Sequence, residues 1–471
     1  MTRINLDWHQ FNYLCEVYRK NLETMKLTIK NLGKIESCQL ELNNLTILVG
    51  DNNSGKTYVT YSTYGALKYW RDFINYNNFK DVEQKIKSDG QIVLNQAEIV
   101  LLVDKCIKSE SDKFKRRIRD LFNDKEKIFE NASVKIEFDK PKQFEDCERK
   151  IRIGENISFE GSIKNNSLTI FFKNSSKEEL SDSMIRNIVG DLFSILVFDS
   201  IFPDPTIITA ERLGISLFYK ELDERRNSMI EGLQKLDEKD ESIHPIELIM
   251  NMSAYYATPI RDHIAFTRNL DNIKKNQTDL DISYPAEIIK EILGAEFKKE
   301  NKQDIRFYTK NKKNNRFDIP LYLASSSARC IVDIYFYLKH VAKKSDVLII
   351  DEPESHLTLR NQRLMAKLIA AIVNLDIRVF ITTHSDFLIK ELNNLVLLSN
   401  DFTGKNEWLS KNKKFYNSLD KIDKNLISVY QATNGTLTAM KITNKGIEIP
   451  FFDEEINSLF HTSSDLDYFI E

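Results

Sequence analysis

Short apolar runs broken by turn residues open the readable part of the chain, predicting strands at Leu27–Lys30, Glu36–Glu41 and Leu45–Val49, with turns at Asn31-Leu32-Gly33 and Asn43-Asn44. Before them, Leu14, Val17 and Tyr18 recur at helical spacing and suit either an added helix over 1–24 or a frayed extension. After Gly50 the period changes to helical from about Gly55 through Tyr58, Val59 and Tyr61, and again over the charge-rich stretch from Lys80 to Asp124. Strand-like runs return at Ser133–Phe138, Ile151–Phe159 and Leu168–Phe172, predicting a β-rich lobe, and again at Val197–Phe202 and Thr206–Ala210. Leu217–Lys239 and Ala286–Phe297 revert to helical spacing. The C-terminal third holds two continuously apolar runs, Val347–Ile350 and Val379–Thr382, which suit strands covered on both faces. A hairpin is predicted around Asn434-Gly435, between Ser428–Ala432 and Thr436–Ile442. No heptad is sustained over many turns, so a long coiled-coil arm is not expected.

Composition adds bounds rather than a role. With 471 residues, 42% of them apolar and 29% charged, the chain can bury a large core, and its length suits about three domains. A formal net charge of -3 supplies no bulk attraction to nucleic acid or anionic membrane. Five scattered cysteines, Cys15, Cys38, Cys106, Cys147 and Cys330, form no C-x-x-C pair, which suits reduced thiols and a cytoplasmic setting. The first 24 residues contain no apolar secretion core, and no apolar run of membrane-spanning length occurs.

Chemistry enters with two motifs. Gly50-Asp51-Asn52-Asn53-Ser54-Gly55-Lys56-Thr57 fits G-x-x-x-x-G-K-[ST] between a predicted strand and a predicted helix. Its glycines let backbone N–H groups wrap phosphates, Lys56 reaches the β and γ phosphates, and the Thr57 hydroxyl suits magnesium. The candidate nucleotide-binding set is therefore Gly50, Asn52, Asn53, Ser54, Gly55, Lys56 and Thr57. The run Val347 to Ile350 then delivers Asp351 and Glu352 at the carboxyl edge of a buried strand, where open α/β sheets bind ligands. Asp351 suits magnesium and Glu352 suits a general base acting on water. Thr382-Thr383-His384-Ser385 follows the next strand and offers His384 to a γ-phosphate, while His356 reads as structural.

The order of glycine loop, serine-rich segment, Ile-Ile-Asp-Glu-Pro-Glu-Ser-His-Leu and Thr-Thr-His-Ser resembles soluble ABC-type ATPases of the OLD, Rad50 and SMC group. The resemblance is firmest over 45–57 and 347–386. It implies an α/β P-loop NTPase of ABC type, with a mixed or parallel sheet core, a β-rich lobe and a helical insertion. It implies slow, magnesium-dependent hydrolysis of ATP, with Lys56, Glu352 and His384 in catalytic positions. The implied organisation is an N-terminal helical extension (1–24), a first part of the head with helical and β-rich insertions (25–215), a helical insertion (216–317) and a second part of the head (318–471). In this group a signature serine contacts ATP held by another subunit. The candidates here are Ser325, Ser326 and Ser327, which also suit a plain helix N-cap. Ser327 stands where the family has glycine, which puts the trans contact and the hydrolysis rate in doubt. Arg212 is similar to an arginine motif of the group and equally suits a surface ion pair. Neither Gln91 nor Gln96 is singled out as the glutamine that senses nucleotide.

Several OLD relatives carry a Toprim nuclease, and Asp465-Leu466-Asp467 fits its acidic pair, but as a solvated tail it suits the sequence better, so no nuclease is expected here. The chain looks like the ATPase subunits of two-component antiphage systems, PARIS (AriA-type) first and Septu (PtuA-type) next. That likeness implies a homo-oligomer, a dimer or larger up to a hexamer, with ATP at its interfaces, a Toprim-type nuclease effector and a phage-encoded trigger. The competing reading is a repair or SMC-like ATPase that binds DNA through the basic runs Lys113–Arg119 and Lys310–Arg316, which otherwise suit solvated faces.

Overall fold

The computed structural model describes residues 25–470 apart from 108–110, 139–142, 145, 176–179, 199–201, 219–220, 222–255, 274–275, 299–305 and 311–315. The expected N-terminal helix and nearly all of Leu217–Lys239 lie outside the described residues. The chain forms two compact units, one made of Met1–Thr28, Gly65–Arg117 and Ser133–Asp204, the other of Ile29–Tyr64, Ile118–Ala132 and Pro205–Glu471.

The second unit is built on a six-stranded sheet. Its strands are β1 (Leu45–Gly50), β2 (Pro205–Ile208), β3 (Val347–Asp351), β4 (Arg378–Thr383), β5 (Ile427–Thr433) and β6 (Thr436–Ala439), in the order β6-β5-β1-β4-β3-β2. All neighbours are parallel except the β5–β6 hairpin. Every residue of β1, β3 and β4 is buried, and their largely apolar sequences suit strands covered on both faces. The cover comes from helices, of which α1 (Lys56–Lys68), α2 (Thr258–Arg268), α3 (Ser283–Leu293), α4 (Ser326–His340), α5 (Leu359–Val373) and α6 (Asp386–Ser399) matter here. Ile47, Ile350 and Ile381 from the strands join Ile334, Leu368 and Leu392 from the helices in one core. Side-chain caps start α5 and α6, Thr358 accepting from Asn361 N and Ser385 from Leu388 N.

The first unit contains an antiparallel sheet in the order Gln91–Leu94, Ser167–Asn174, Ile157–Lys164, Cys147–Ile153. The helix Asp182–Phe193 and the turn after it approach so closely that a Cβ on Gly161 would stand 2.9 Å from Leu192 and 2.5 Å from Leu196. Trp70 stacks on Phe202 at 5.0 Å, and Phe79, Phe193 and Phe198 extend the aromatic contacts.

Three expectations are corrected by these elements. The stretch Lys80–Asp124 is not uniformly helical: Gly90, at φ 69, ends the helix Lys80–Asp89 and admits the strand Gln91–Leu94. Val197 and Phe198, the start of the strand expected at Val197–Phe202, belong instead to the π-helical turn Ser194–Phe198 that continues the preceding helix, while 199–201 lie outside the described residues. The described part of 216–317 is mixed rather than helical, with a three-stranded antiparallel sheet of Glu296–Lys298, Arg306–Lys310 and Arg316–Pro320. The hairpin at Asn434-Gly435 forms as the sequence predicts, both residues having positive φ.

Candidate functional site

The carboxyl ends of three central strands bring the candidate residues to one edge. β1 runs directly into the glycine loop and α1, β3 ends in Asp351, and β4 lies between them and ends in Thr382 and Thr383. Register aligns Asp351 with Thr382 across β3 and β4, and Thr383 with Val49 across β4 and β1. Residues about 300 positions apart in sequence are thus placed two strands apart, roughly 10 Å by ordinary strand spacing.

The loop holds backbone that side chains oppose. Gly50 has φ 144, and a Cβ there would meet the Ala432 carbonyl at 2.6 Å, while Gly55 has φ 99 and a Cβ there would meet Ile35 at 2.6 Å. Asn53, at φ 63, adds a left-handed residue of the type that tolerates it best. Lys56 is buried and donates through Nζ to the carbonyls of Gly50 at 3.0 Å and Asp51 at 2.7 Å. Burial lowers its pKa, opposed by Glu352, Asp351, Asp51 and Glu354. Ser54 keeps a buried hydroxyl with no hydrogen-bond partner among the described residues. Asn52, Asn53 and Thr57 are exposed, Thr57 in the first turn of α1.

Asp351 is only 6% exposed, and burial raises its carboxyl from 3.8 to about 6, against the hydrogen bond that Thr382 donates to it. The same Thr382 oxygen accepts from the Glu352 amide at 3.0 Å. Glu352 itself has φ 50, a conformation that costs a non-glycine residue about 1–3 kcal/mol and tends to persist where surrounding structure enforces it. One enforcing group is Arg212, which is fully buried and donates to the Asp351 carbonyl at 2.7 Å and to the Glu352 carbonyl. The surface ion-pair reading of Arg212 is therefore corrected: it holds backbone, not a solvent-facing acid. Glu352 Oε2 accepts from the Ser355 hydroxyl at 3.0 Å, and Oε1 lies 3.8 Å from Nε2 of the half-buried His384. Burial, with Lys56 nearby, lowers the His384 pKa and favours the neutral imidazole.

Glu354 is a residue the sequence reading did not single out. Its Oε1 accepts from the Thr383 hydroxyl and the His384 amide, both at 2.8 Å, and its Oε2 is buried without a partner among the described residues. Burial raises its pKa. Its only sequence signal was a third acid in Asp351-Glu352-Pro353-Glu354.

The serine segment behaves differently. Ser325 caps α4, its hydroxyl accepting from Ala328 N at 3.3 Å, and Ser327 donates to the His356 carbonyl at 3.2 Å, neither bond reaching the 50–57 loop. His356 has φ 63, so its place in the turn after the acids is a backbone one. Gln91 and Gln96 lie in the first unit, opening a strand and a helix. Of the basic run 113–119, Arg117 lies 5.2 Å over the Tyr69 ring and Arg119 pairs with Glu130 at 3.3 Å; most of the other run, 311–315, is outside the described residues. Asp465 and Asp467 are exposed on the helix Pro450–Ile470. No helix among the described residues is long and apolar enough to cross a membrane.

A family model described as an AAA ATPase domain matches residues 25–389. No curated protein matches the sequence. Among solved structures, the chain is similar to the Smc head domain of Pyrococcus furiosus with an extended coiled coil, bound to the C-terminal domain of ScpA, at 13% identity, covering 93% of this chain and 100% of that one with a TM-score of 0.30. It is also similar to the SMC head domain of Thermotoga maritima, at 11% identity, covering 89% and 98% with a TM-score of 0.28. Such scores mark a loose likeness.

Proposed function

Because the chain belongs to the AAA ATPase domain family, we propose that it binds ATP with magnesium at the 50–57 loop and hydrolyses it with Glu352 as base. The carrying observation is the convergence of buried Lys56 and Asp351 with the partly exposed Glu352 at one sheet edge. The loop fits a phosphate chain: Gly50 and Gly55 hold positive-φ backbone packed against Ala432 and Ile35, the Ser54 hydroxyl has no partner among the described residues, and Lys56 rests on carbonyls it can exchange for phosphate oxygens. Thr57 and Asp351 are the oxygen donors suited to magnesium, which supplies charge neutralisation on the phosphates when bound. Glu352 Oε1 takes a proton from the attacking water as that oxygen bonds the γ-phosphorus and the bond to the β-γ bridging oxygen breaks. His384, neutral, hydrogen-bonds the γ-phosphate.

At the finer level the reading is an ABC-type ATPase of the OLD and Rad50 group that serves as sensor and scaffold of a two-component antiphage system, PARIS-like before Septu-like. Homo-oligomerisation places ATP between subunits, and a separate Toprim-type nuclease is held until a phage product triggers its release. The support is the order of glycine loop, serine-rich segment, acidic strand end and Thr-Thr-His-Ser along the chain.

The enzymatic test is turnover and nucleotide binding in two variants. Glu352→Gln retains ATP binding and loses about 100-fold or more in turnover, whereas Lys56→Ala loses binding itself. Unchanged turnover in the first would remove Glu352 as base. The biological test purifies the chain with the product of the neighbouring gene and plates phage on cells carrying Lys56→Ala; no association and unchanged plating would sink the defence role.

A further inference from the structure

A second polar cluster lies wholly inside the ATPase unit. His263 on α2, Asp333 on α4 and Thr209 at the end of β2 are each 0% exposed. The Thr209 amide donates to His263 Nδ1 at 3.1 Å, so Nδ1 carries the lone pair and the ring proton sits on Nε2. Nε2 in turn donates to Asp333 Oδ2 at 3.0 Å. Thr267 completes the cluster, its hydroxyl lying 3.1 Å from the His263 carbonyl and 3.4 Å from Asp333 Oδ1.

Apolar side chains would fill this space at less desolvation cost, so the cluster asks for a reason. Its position supplies one. Thr209 begins the turn Thr209-Ala210-Glu211-Arg212, in which the Thr209 carbonyl accepts from the Arg212 amide at 3.2 Å and from Arg212 Nη1 at 3.4 Å. The same guanidinium holds the carbonyls of Asp351 and Glu352. It also interacts with the thiol of Cys330, three residues before Asp333 on α4. Helix α4 therefore reaches the acids through two connected contacts, Asp333–His263–Thr209 and Cys330–Arg212. Glu352, held at φ 50, is the residue whose geometry depends most on such support.

The geometry points to His263 and Asp333 as positioning residues for hydrolysis, setting the Arg212 turn and through it the backbone of Asp351 and Glu352 from the serine-capped helix α4. Neither touches nucleotide. This inference rests on the ATPase reading above.

The test compares full-length variants for turnover, for affinity towards a fluorescent ATP analogue with magnesium, and for thermal midpoint. His263→Asn keeps an acceptor for the Thr209 amide and cuts the reach to Asp333; His263→Gln reaches Asp333 and cuts the Thr209 bond. Asp333→Leu cuts the link from the other side. Asp333→Asn keeps an acceptor for the Nε2 proton and a donor towards Thr267. The expected result is a loss of turnover on the order of tenfold or more in the three cutting variants, with nucleotide affinity kept, and near-normal turnover in Asp333→Asn. Normal turnover in the cutting variants overturns the inference. So does a turnover loss that merely follows lost affinity or thermal stability, and so does an Asp333→Asn variant as impaired as Asp333→Leu. A wild-type chain with no hydrolysis removes the ATPase reading and this inference with it, an outcome distinct from the others because it appears before any substitution.

Discussion

Asp351 carries the clearest cost of building this site. Its carboxyl is protonated in folded and unfolded chains below about pH 3.8, and between there and about pH 6 the unfolded chain ionises while the folded one resists. The group therefore withdraws stability as pH rises through that window, up to about 3 kcal/mol for a shift of about two units. Asp351→Asn, denatured in chelator without nucleotide, is expected to be more stable than wild type above pH 6 and equal to it below pH 4. Equal midpoints at pH 7.5 would show that burial does not penalise this carboxylate. The same charge, costly alone, is what a divalent cation would repay, so a destabilising residue is consistent with a binding one.

The glycine loop is legible as a motif, but the reason for each glycine appears only when strands are placed. The nearest obstacle to a side chain at Gly50 is the Ala432 carbonyl of β5 at 2.6 Å, on a strand nearly 400 residues later, added to a φ of 144 and the Ser54 hydroxyl at 3.1 Å. Gly50→Ala must displace that strand or distort the loop, and is expected to weaken nucleotide binding at least about tenfold and to cost about 1–3 kcal/mol of stability. Gly214→Ala is the matched control, since a Cβ there meets nothing within 4 Å. Equal nucleotide affinity in the two variants would refute the close-approach argument. Among the serines of 325–327, Ser325 also serves its own element as a helix cap, a role worth about 1 kcal/mol.

In the ATPase unit, the loop and the acids are the ends of β1, β3 and β4, the fully buried inner strands of one sheet. Ligand bound there is coupled to the core rather than to a surface loop. At about 100 times its dissociation constant, nucleotide stabilises by roughly 2.7 kcal/mol. With magnesium and ATP on the Glu352→Gln variant, amide exchange is expected to slow along β1, β3 and β4 as well as in the loop. Slowing confined to 50–57 would mean that binding leaves the sheet untouched.

The nucleotide loop, the acid-bearing strand and the hairpin at Asn434-Gly435 were readable in the sequence because each has a local signature: a spaced Gly and Lys-Thr motif, apolarity over a few residues, or an Asn-Gly turn with positive φ. What local pattern could not supply was the company each residue keeps. Burial of Arg212 on the carbonyls of Asp351 and Glu352, the two hydrogen bonds that engage Glu354, and the His263–Asp333 pair all join positions tens to hundreds of residues apart. Likewise Gly90 and the strand after it were hidden in a charge-rich stretch, since a four-residue strand is recognised by its neighbour in the sheet and not by its own period. Pairing and desolvation are properties of the packed chain, and they determine which of its many polar residues are held in place.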